Sequence, residues 1–200
     1  VEKPATTSLT ATADLIELAR EKKLAVHENY MFVFHKQIQE VNDIVASGEI
    51  GDVRLYRIDF GFPMRAANDF RYKKALGGGA LLDCGGYTLK YTSLLLGNTS
   101  KIEYARLNTV EGFEVDMYGS CALSNDKGQV VQVSFGMDND YRCNLEVWGS
   151  KGTLRSGRIL TAPEGFVPSY TISRNGEITE GNFSADDAFL KSIQWFEDCV

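Results

Sequence analysis

Two histidines and four cysteines in 200 residues leave little material for metal chemistry. Cys84, Cys121, Cys143 and Cys199 stand 22 or more residues apart with no Cys-x-x-Cys pair, so the spacing of a zinc site is missing and no metal is expected. Scattered thiols of this kind fit a reducing, cytoplasmic setting better than a disulfide framework. No apolar run approaches the roughly 20 residues that a membrane span needs, which excludes a spanning helix as the chain's organising element. Positive charge is also in deficit. With 21 basic against 27 acidic residues the formal charge is −6, the wrong sign for a surface that tracks nucleic-acid phosphates. Nor does any Gly-x-Gly-x-x-Gly or Gly-x-x-x-x-Gly-Lys-Ser/Thr string occur, so the chain has no phosphate cradle of its own.

What remains is an ordinary globular composition, 44% hydrophobic and 24% charged, enough for one large domain or two small ones. Residues 10 to 23 read as an amphipathic helix with Leu15, Leu18 and Ala19 on one side, followed by a strand-like run at Leu24-Ala25-Val26. Helix then strand is one step of an α/β crossover, and one step cannot make a sheet alone. Residues 1–28 are therefore expected to be the remnant of another domain. The chain opens on Val1 and its closing helix has no stop signal, so it reads as a fragment of a longer protein.

A second helix is expected over 36–47, with Ile38, Val41, Ile44 and Val45 on one stripe and Gly48 just beyond its end. Residues 52–62 alternate as a strand whose phase slips near Tyr56, the sign of a bulge. Three further strands, led by Val115 to Leu123, Val131 to Met137 and Cys143 to Val147, share one apolar face. Their connectors Asn125-Asp126-Lys127-Gly128 and Asp138-Asn139-Asp140 carry turn chemistry, which predicts an antiparallel meander covered by helices. Short strands near 153–161 and 169–174 extend it, and Asn175-Gly176 marks a turn. Tyr118 and Trp148 fall on the opposite, mixed face, where a second subunit could pack. Ser184-Ala185-Asp186-Asp187 opens a last helix, with Phe189, Ile193 and Phe196 at helical spacing.

The densest local signal is Gly77-Gly78-Gly79-Ala80-Leu81-Leu82-Asp83-Cys84-Gly85-Gly86-Tyr87, leading into a helix that ends at Gly97-Asn98. Asp83 and Tyr87 stand four apart and share a helix face. The glycines would let backbone N–H groups at the helix start approach an oxygen-rich ligand. Arg71, in Asp69-Phe70-Arg71-Tyr72, is a candidate for a substrate contact, with an ion pair as its plain structural role. His35 reads as a structural hydrogen-bonding group, and Cys84, among small and apolar neighbours, as a buried thiol.

Five pieces occur in a specific order: Glu2-Lys3-Pro4; Glu28-Asn29-Tyr30-Met31-Phe32 through Phe34-His35; Ser47-Gly48-Glu49-Ile50-Gly51; Gly77 to Tyr87; and Gly149-Ser150-Lys151-Gly152-Thr153-Leu154. Along nearly its whole length the chain resembles the glucose-fructose oxidoreductase, inositol dehydrogenase and rhizopine-catabolism (Gfo/Idh/MocA) family. The resemblance implies an N-terminal Rossmann domain that binds NAD or NADP and a C-terminal α/β domain with a large, mainly antiparallel sheet covered on one face by helices. In these terms residues 1–28 are the end of the nucleotide-binding domain, and 29–200 are the substrate-binding and dimerisation domain, truncated at its C-terminus.

By the same resemblance Lys3, Asp83 and Tyr87 are the catalytic residues, Glu2 and Lys3 border the cofactor, and the substrate is a sugar, cyclitol or related polyol. Many members carry His where this chain has Tyr87; the glucose-fructose oxidoreductase and dihydrodiol dehydrogenase branches carry Tyr. A tyrosine with its ordinary pKa of about 10 needs help to act as a base, and Lys3 would lower that value. Lys90, Val33 and Lys36 depart from common family residues, which bears on the substrate more than on the fold. The resemblance implies hydride transfer by the full-length form, not by these residues alone. The competing readings are a non-catalytic binding or dimerisation module and a nucleotide-dependent glycosidase.

Overall fold

The computed structural model describes residues 1–200. The helix α1 (Leu9–Lys22) is capped by Ser8, whose side chain accepts from the Ala11 amide, and stops at Lys23 in the left-handed conformation. A turn at Met31–Phe34 leads to α2 (Lys36–Ala46), with Gly48 beyond its end at φ +76°. Next come β1 (Val53–Gly61), a long loop, a π-helical turn at Leu81–Gly85 and α3 (Gly86–Leu96). The strands β2 (Lys101–Asn108), β3 (Tyr118–Ser124), β4 (Val130–Gly136), β5 (Arg142–Gly149), β6 (Thr153–Ser156), β7 (Ser169–Arg174) and β8 (Glu177–Asn182) precede α4 (Ala188–Asp198).

All eight strands form one sheet in the order β2-β3-β4-β1-β5-β6-β7-β8. Only β1 and β4 run parallel; every other neighbouring pair is antiparallel. The expected α/β class and mainly antiparallel sheet are present, but the simple meander is not. β3 and β4 form a hairpin as expected, whereas β1 is inserted between β4 and β5 and separates them. The connector from β4 to β5 crosses the end of β1, where the Asn139 amide donates to the Phe62 carbonyl at 3.1 Å. Alternation specifies which face of a strand is buried; it carries no information on which strand lies alongside.

The apolar face is the shared core. Tyr56, Ile58 and Phe60 of β1 lie between Val131, Val133 and Phe135 of β4 and Cys143, Leu145 and Val147 of β5, all buried. α3 covers β1 and β4. α2 is tied over β6 by Gln37, whose side-chain amide donates to the Ser156 hydroxyl and the Gly157 carbonyl, each at 2.9 Å. The outward face carries polar cross-strand pairs, among them Arg57 donating to Gln132 on β4 and to Glu146 on β5.

Several local expectations are corrected. The bulge in β1 lies between Val53 and Leu55 rather than at Tyr56. Leu24-Ala25-Val26 is not a strand: no neighbouring strand offers it a ladder, and Leu24 and Val26 are exposed. Leu18, expected on the packed side of α1, is also exposed, and only Ala19 of that helix is buried. The strand read from Val115 begins at Tyr118, although Val115 and Met117 are buried as the pattern required. The last helix is capped by Asp187, which accepts from Leu190 N, because Ser184 is engaged with Glu40. Its buried residues are Ala188 and Ser192, and Phe189 and Ile193 face outward.

Ile58 is fully buried at the centre of the sheet. Ile58→Ala should cost about 2–5 kcal/mol of unfolding free energy, read from the midpoint of chemical denaturation, because neighbours on both flanking strands prevent the cavity from collapsing.

Candidate active site

Lys3 is held in place by the segment that passes beside it. The Val1 ammonium donates to the His27 carbonyl at 2.8 Å, Asn29 N donates to the Val1 carbonyl at 3.0 Å, and Ala5 N donates to Glu28 at 2.8 Å. The following peptide, Lys3-Pro4, is cis. From this tether the ammonium reaches the π-helical turn, where it donates to Asp83 Oδ1 at 2.6 Å and to the Asp83 carbonyl at 3.1 Å. The two side chains retain only 12% and 16% exposure, so the pair is shielded from most of the screening that weakens surface ion pairs.

Tyr87 lies in the first turn of α3, four residues beyond Asp83. Its ring packs edge-on against Tyr30 and Phe60 at centroid separations of 5.3 and 5.4 Å and tilts against Phe32 at 6.0 Å. Lys3 Nζ lies 4.9 Å from the ring centroid. The hydroxyl's one described contact is weak, with Met31 Sδ at 4.0 Å. Lys3, Asp83 and Tyr87 therefore converge, as the sequence led us to expect.

The electrostatics do not follow the expectation that Lys3 lowers the phenol pKa. Burial and the neighbouring Asp83 carboxylate, with Glu2 adding to them, push Tyr87 up to about 12. Lys3 is spent on Asp83 and lies over the face of the ring. The phenol is held protonated across the neutral range.

Arg71 is drawn into the same cluster. Its Nε donates to Asp83 Oδ2 at 2.7 Å, and Nη1 donates to Asp69 Oδ1 and Oδ2 at 3.1 and 3.3 Å. The ion-pair role is present. Glu2 is exposed beside Lys3.

The glycine loop serves a different purpose from the one expected. Gly78 N donates to the Lys73 carbonyl, Gly79 N to the Arg71 carbonyl, Ala80 N to the Asp116 carbonyl and Leu81 N to Asp116 Oδ2, all within 2.7–3.0 Å. These N–H groups are consumed by the protein and are not offered to a ligand. A Cβ on Gly78 would lie 2.4 Å from the Arg71 carbonyl oxygen, and Gly79 adopts φ +122°, so the glycines let the loop close on itself. Asp69 and Asp116 are the residues that sequence reasoning missed. In the sequence Asp116 falls inside the alternating run from Val115 and Asp69 stands beside Arg71, and neither spacing marks a role in the loop.

His35 is buried and caps α2, its Nδ1 accepting from Gln37 N at 3.1 Å, and burial lowers its pKa. Burial pushes the Cys84 thiol up to about 12, which leaves it inert. No cluster of metal-ligating side chains is present, and no helix is long and apolar enough to cross a membrane. A trough on the open sheet face, lined by Asp59, Tyr104, Arg106, Tyr118 and Arg142, lies away from the Lys3 cluster.

Residues 38–155 match the GFO/IDH/MocA C-terminal domain. The chain belongs to this family. A relative from Streptomyces violaceoruber, dTDP-3,4-didehydro-2,6-dideoxy-alpha-D-glucose 3-reductase, is 41% identical over 100% of this chain and 58% of its own length. The NADP-dependent D-xylose 1-dehydrogenase 2 of Haloferax volcanii is 25% identical over 100% of this chain and 61% of its own. Among solved structures, a 3-ketoreductase from Actinomadura kijaniata in complex with NADP and TDP-benzene superposes with a TM-score of 0.95 at 35% identity, covering 100% of this chain and 61% of that one. That protein has also been solved with one tyrosine changed to phenylalanine and with one lysine changed to alanine, at positions 84 residues apart. The chain spans about three-fifths of the length of these relatives.

Because the Asp83 charge is among the causes that raise the Tyr87 pKa, Asp83→Asn should move the phenol's ionisation downward. Ultraviolet difference titration against a Tyr87→Phe background reads this shift. The folded state holds the phenolic proton more tightly than the unfolded state, whose pKa is about 10. The stability this confers is complete below about pH 10 and is lost as pH rises toward 12. Tyr87→Phe should flatten that part of the stability curve.

Proposed function

We propose that the full-length protein is an NADP-dependent oxidoreductase that reduces a ketone on a nucleotide-linked deoxysugar, and that this chain supplies the substrate-binding part. The observation that carries the reading is the meeting of Lys3, Asp83 and Tyr87 with the phenol held protonated. An ammonium has three protons, and Lys3 places two of them on Asp83. One remains for the oxygen of a carbonyl. The Tyr87 hydroxyl, with only a sulfur at 4.0 Å, is equally uncommitted.

Carbonyl reduction needs hydrogen-bond donors at the carbonyl oxygen, and Lys3 and Tyr87 can each supply one. As negative charge grows on the ketone oxygen, Lys3 stabilises it and Tyr87 delivers the proton, since an alkoxide is far more basic than a phenolate. Asp83 fixes the ammonium so that little reorganisation is required. The nicotinamide, when bound, supplies the hydride in this direction and accepts it in the reverse. Glu2 and Lys3 are the residues here that would border it. The relatives' names motivate the choice of NADP over NAD and of a dTDP-linked ketosugar within the broader class of sugars, cyclitols and polyols. The separation of Lys3 and Tyr87, 84 residues, equals that of the lysine and tyrosine altered in the Actinomadura protein.

In the same reading residues 1–28 complete the nucleotide-binding domain and 29–200 form the substrate domain. The exposed Leu9, Ile16, Leu18, Leu24 and Val26 support this division, since they form an apolar surface that the sheet does not cover. Four free thiols suit a cytoplasmic protein. A second copy packs on the open sheet face, where Tyr104, Tyr118 and Trp148 are exposed among polar pairs and Arg57 lies over the Trp148 ring.

In the full-length enzyme Tyr87→Phe should lower turnover by about 10²–10⁴-fold while NADP affinity stays within about twofold. Steady-state kinetics with the dTDP-ketosugar, alongside fluorescence titration of NADPH, provide the test, and undiminished turnover refutes the assignment. Trp148→Glu should shift the assembly toward monomer in light scattering at unchanged thermal stability.

A further inference from the structure

We propose that Arg71 is a positioning residue for the reaction: its guanidinium locks the Asp83 carboxylate in the one orientation that keeps Asp83 Oδ1 on the Lys3 ammonium. This role rests on the reductase reading above and differs from a direct contact with the substrate.

A carboxylate on a short side chain can rotate, and here each oxygen has its own cation. Oδ1 accepts from Lys3 at 2.6 Å and Oδ2 accepts from Arg71 Nε at 2.7 Å. Rotation of the carboxylate would break both bonds together. Arg71 is itself held on three sides. Asp69 takes Nη1 with both of its oxygens, and its Oδ1 also accepts the Arg71 amide at 3.0 Å. The guanidinium carbon lies 4.7 Å from the Phe70 ring centroid. The Arg71 carbonyl accepts from Gly79 N at 2.9 Å, which ties the arginine to the loop that enters the π-helical turn carrying Asp83. Nε and Nη1 are therefore engaged within the protein, and the side chain keeps only 22% exposure.

Charge points the same way. Lys3, Arg71, Asp69 and Asp83 sum to zero. Without Arg71 two carboxylates face one ammonium, and Asp83 can turn to draw Lys3 away from the tyrosine ring. A lysine at position 71 would preserve the charge but not the fixed fork that engages Asp83 and Asp69 simultaneously. The arginine thus acts on the reaction through Asp83 and then Lys3, without touching the reacting atoms.

The test compares Arg71→Gln and Arg71→Lys in the full-length enzyme, with NADPH and a dTDP-ketosugar. Arg71→Gln should reduce kcat by about 10–100-fold, the scale expected when a catalytic group is displaced by around 1 Å, with KM for the sugar within about twofold. Arg71→Lys should recover part of kcat. A raised KM at unchanged kcat would mean that Arg71 binds substrate directly, and unchanged kinetics would mean that Asp83 needs no clamp; either result overturns the proposal. Absence of nicotinamide-linked turnover in the wild-type enzyme would defeat the functional reading alone. In that event a crystal structure of Arg71→Gln still decides the positioning role. Asp83 rotated off Lys3 supports it, and an unchanged 2.6 Å contact refutes it. Should the glutamine variant fail to fold, the lysine variant carries both measurements.

Discussion

The ion pair between Lys3 and Asp83 joins residues 80 positions apart and fixes where the chain's first residues lie relative to its sheet. Pairs this shielded lose hydration nearly as fast as they gain attraction, so geometry is their more dependable product. Here the geometry is specific. The ammonium is bound twice by a single residue, through side chain and backbone, and comes to rest against the tyrosine ring. Each proposed chemical role follows from that placement: Lys3 keeps one proton, Tyr87 keeps its own, and each Asp83 oxygen already accepts from a cation.

The scaffold holds this arrangement through layers. Central β1 delivers Phe60 beneath Tyr87, and the π-helical turn rests on β4, with Cys84 Sγ 3.6 Å from the Gly136 carbonyl and Gly85 against the Phe135 ring. The wider π-helical turn places Asp83 and Tyr87 at the rim of the core while Cys84 points inward. π-helical turns recur at functional sites because they reset the angular spacing of side chains at the cost of poorer backbone bonding. Asp116 and the glycine loop close the entrance to this turn from the other side. The result is a platform on which the Lys3 ammonium and the Tyr87 ring meet.

Much of this was legible in the sequence. Period-two alternation identified the buried faces of β3, β4 and β5, and Gly48 and Gly97 marked helix ends, because these signals are local. The family resemblance supplied Lys3, whose lone position near the N-terminus says nothing chemical by itself. What escaped was non-local. The insertion of β1 depends on pairing between distant segments. β2 went unread because an edge strand exposed on both faces has no buried partner to impose a pattern. The raised tyrosine pKa arises from burial first and from the neighbouring Asp83 carboxylate second, and the degree of burial cannot be seen in residue spacing. Asp116 looked like a strand position because alternation continues through Val115 and Met117 although the regular strand has not begun.

The parallel pairing of β1 with β4 bears on how the chain reaches its native state. Tyr56 aligns with Val131 and Ile58 with Leu145, partners 75 and 87 residues away, whereas β3–β4 and β7–β8 are joined by short turns. The local hairpins can close early, but the sheet is continuous only once its middle strand has docked on both sides. Until then β4 and β5 each present an unpaired apolar edge facing the same gap. Such a topology has high contact order, and it folds slowly and remains exposed to intermolecular strand pairing for as long as the gap is unfilled. The strand that carries the site's apolar floor is thus also the keystone of assembly, preceding both flanking strands in the chain and seated only after they exist.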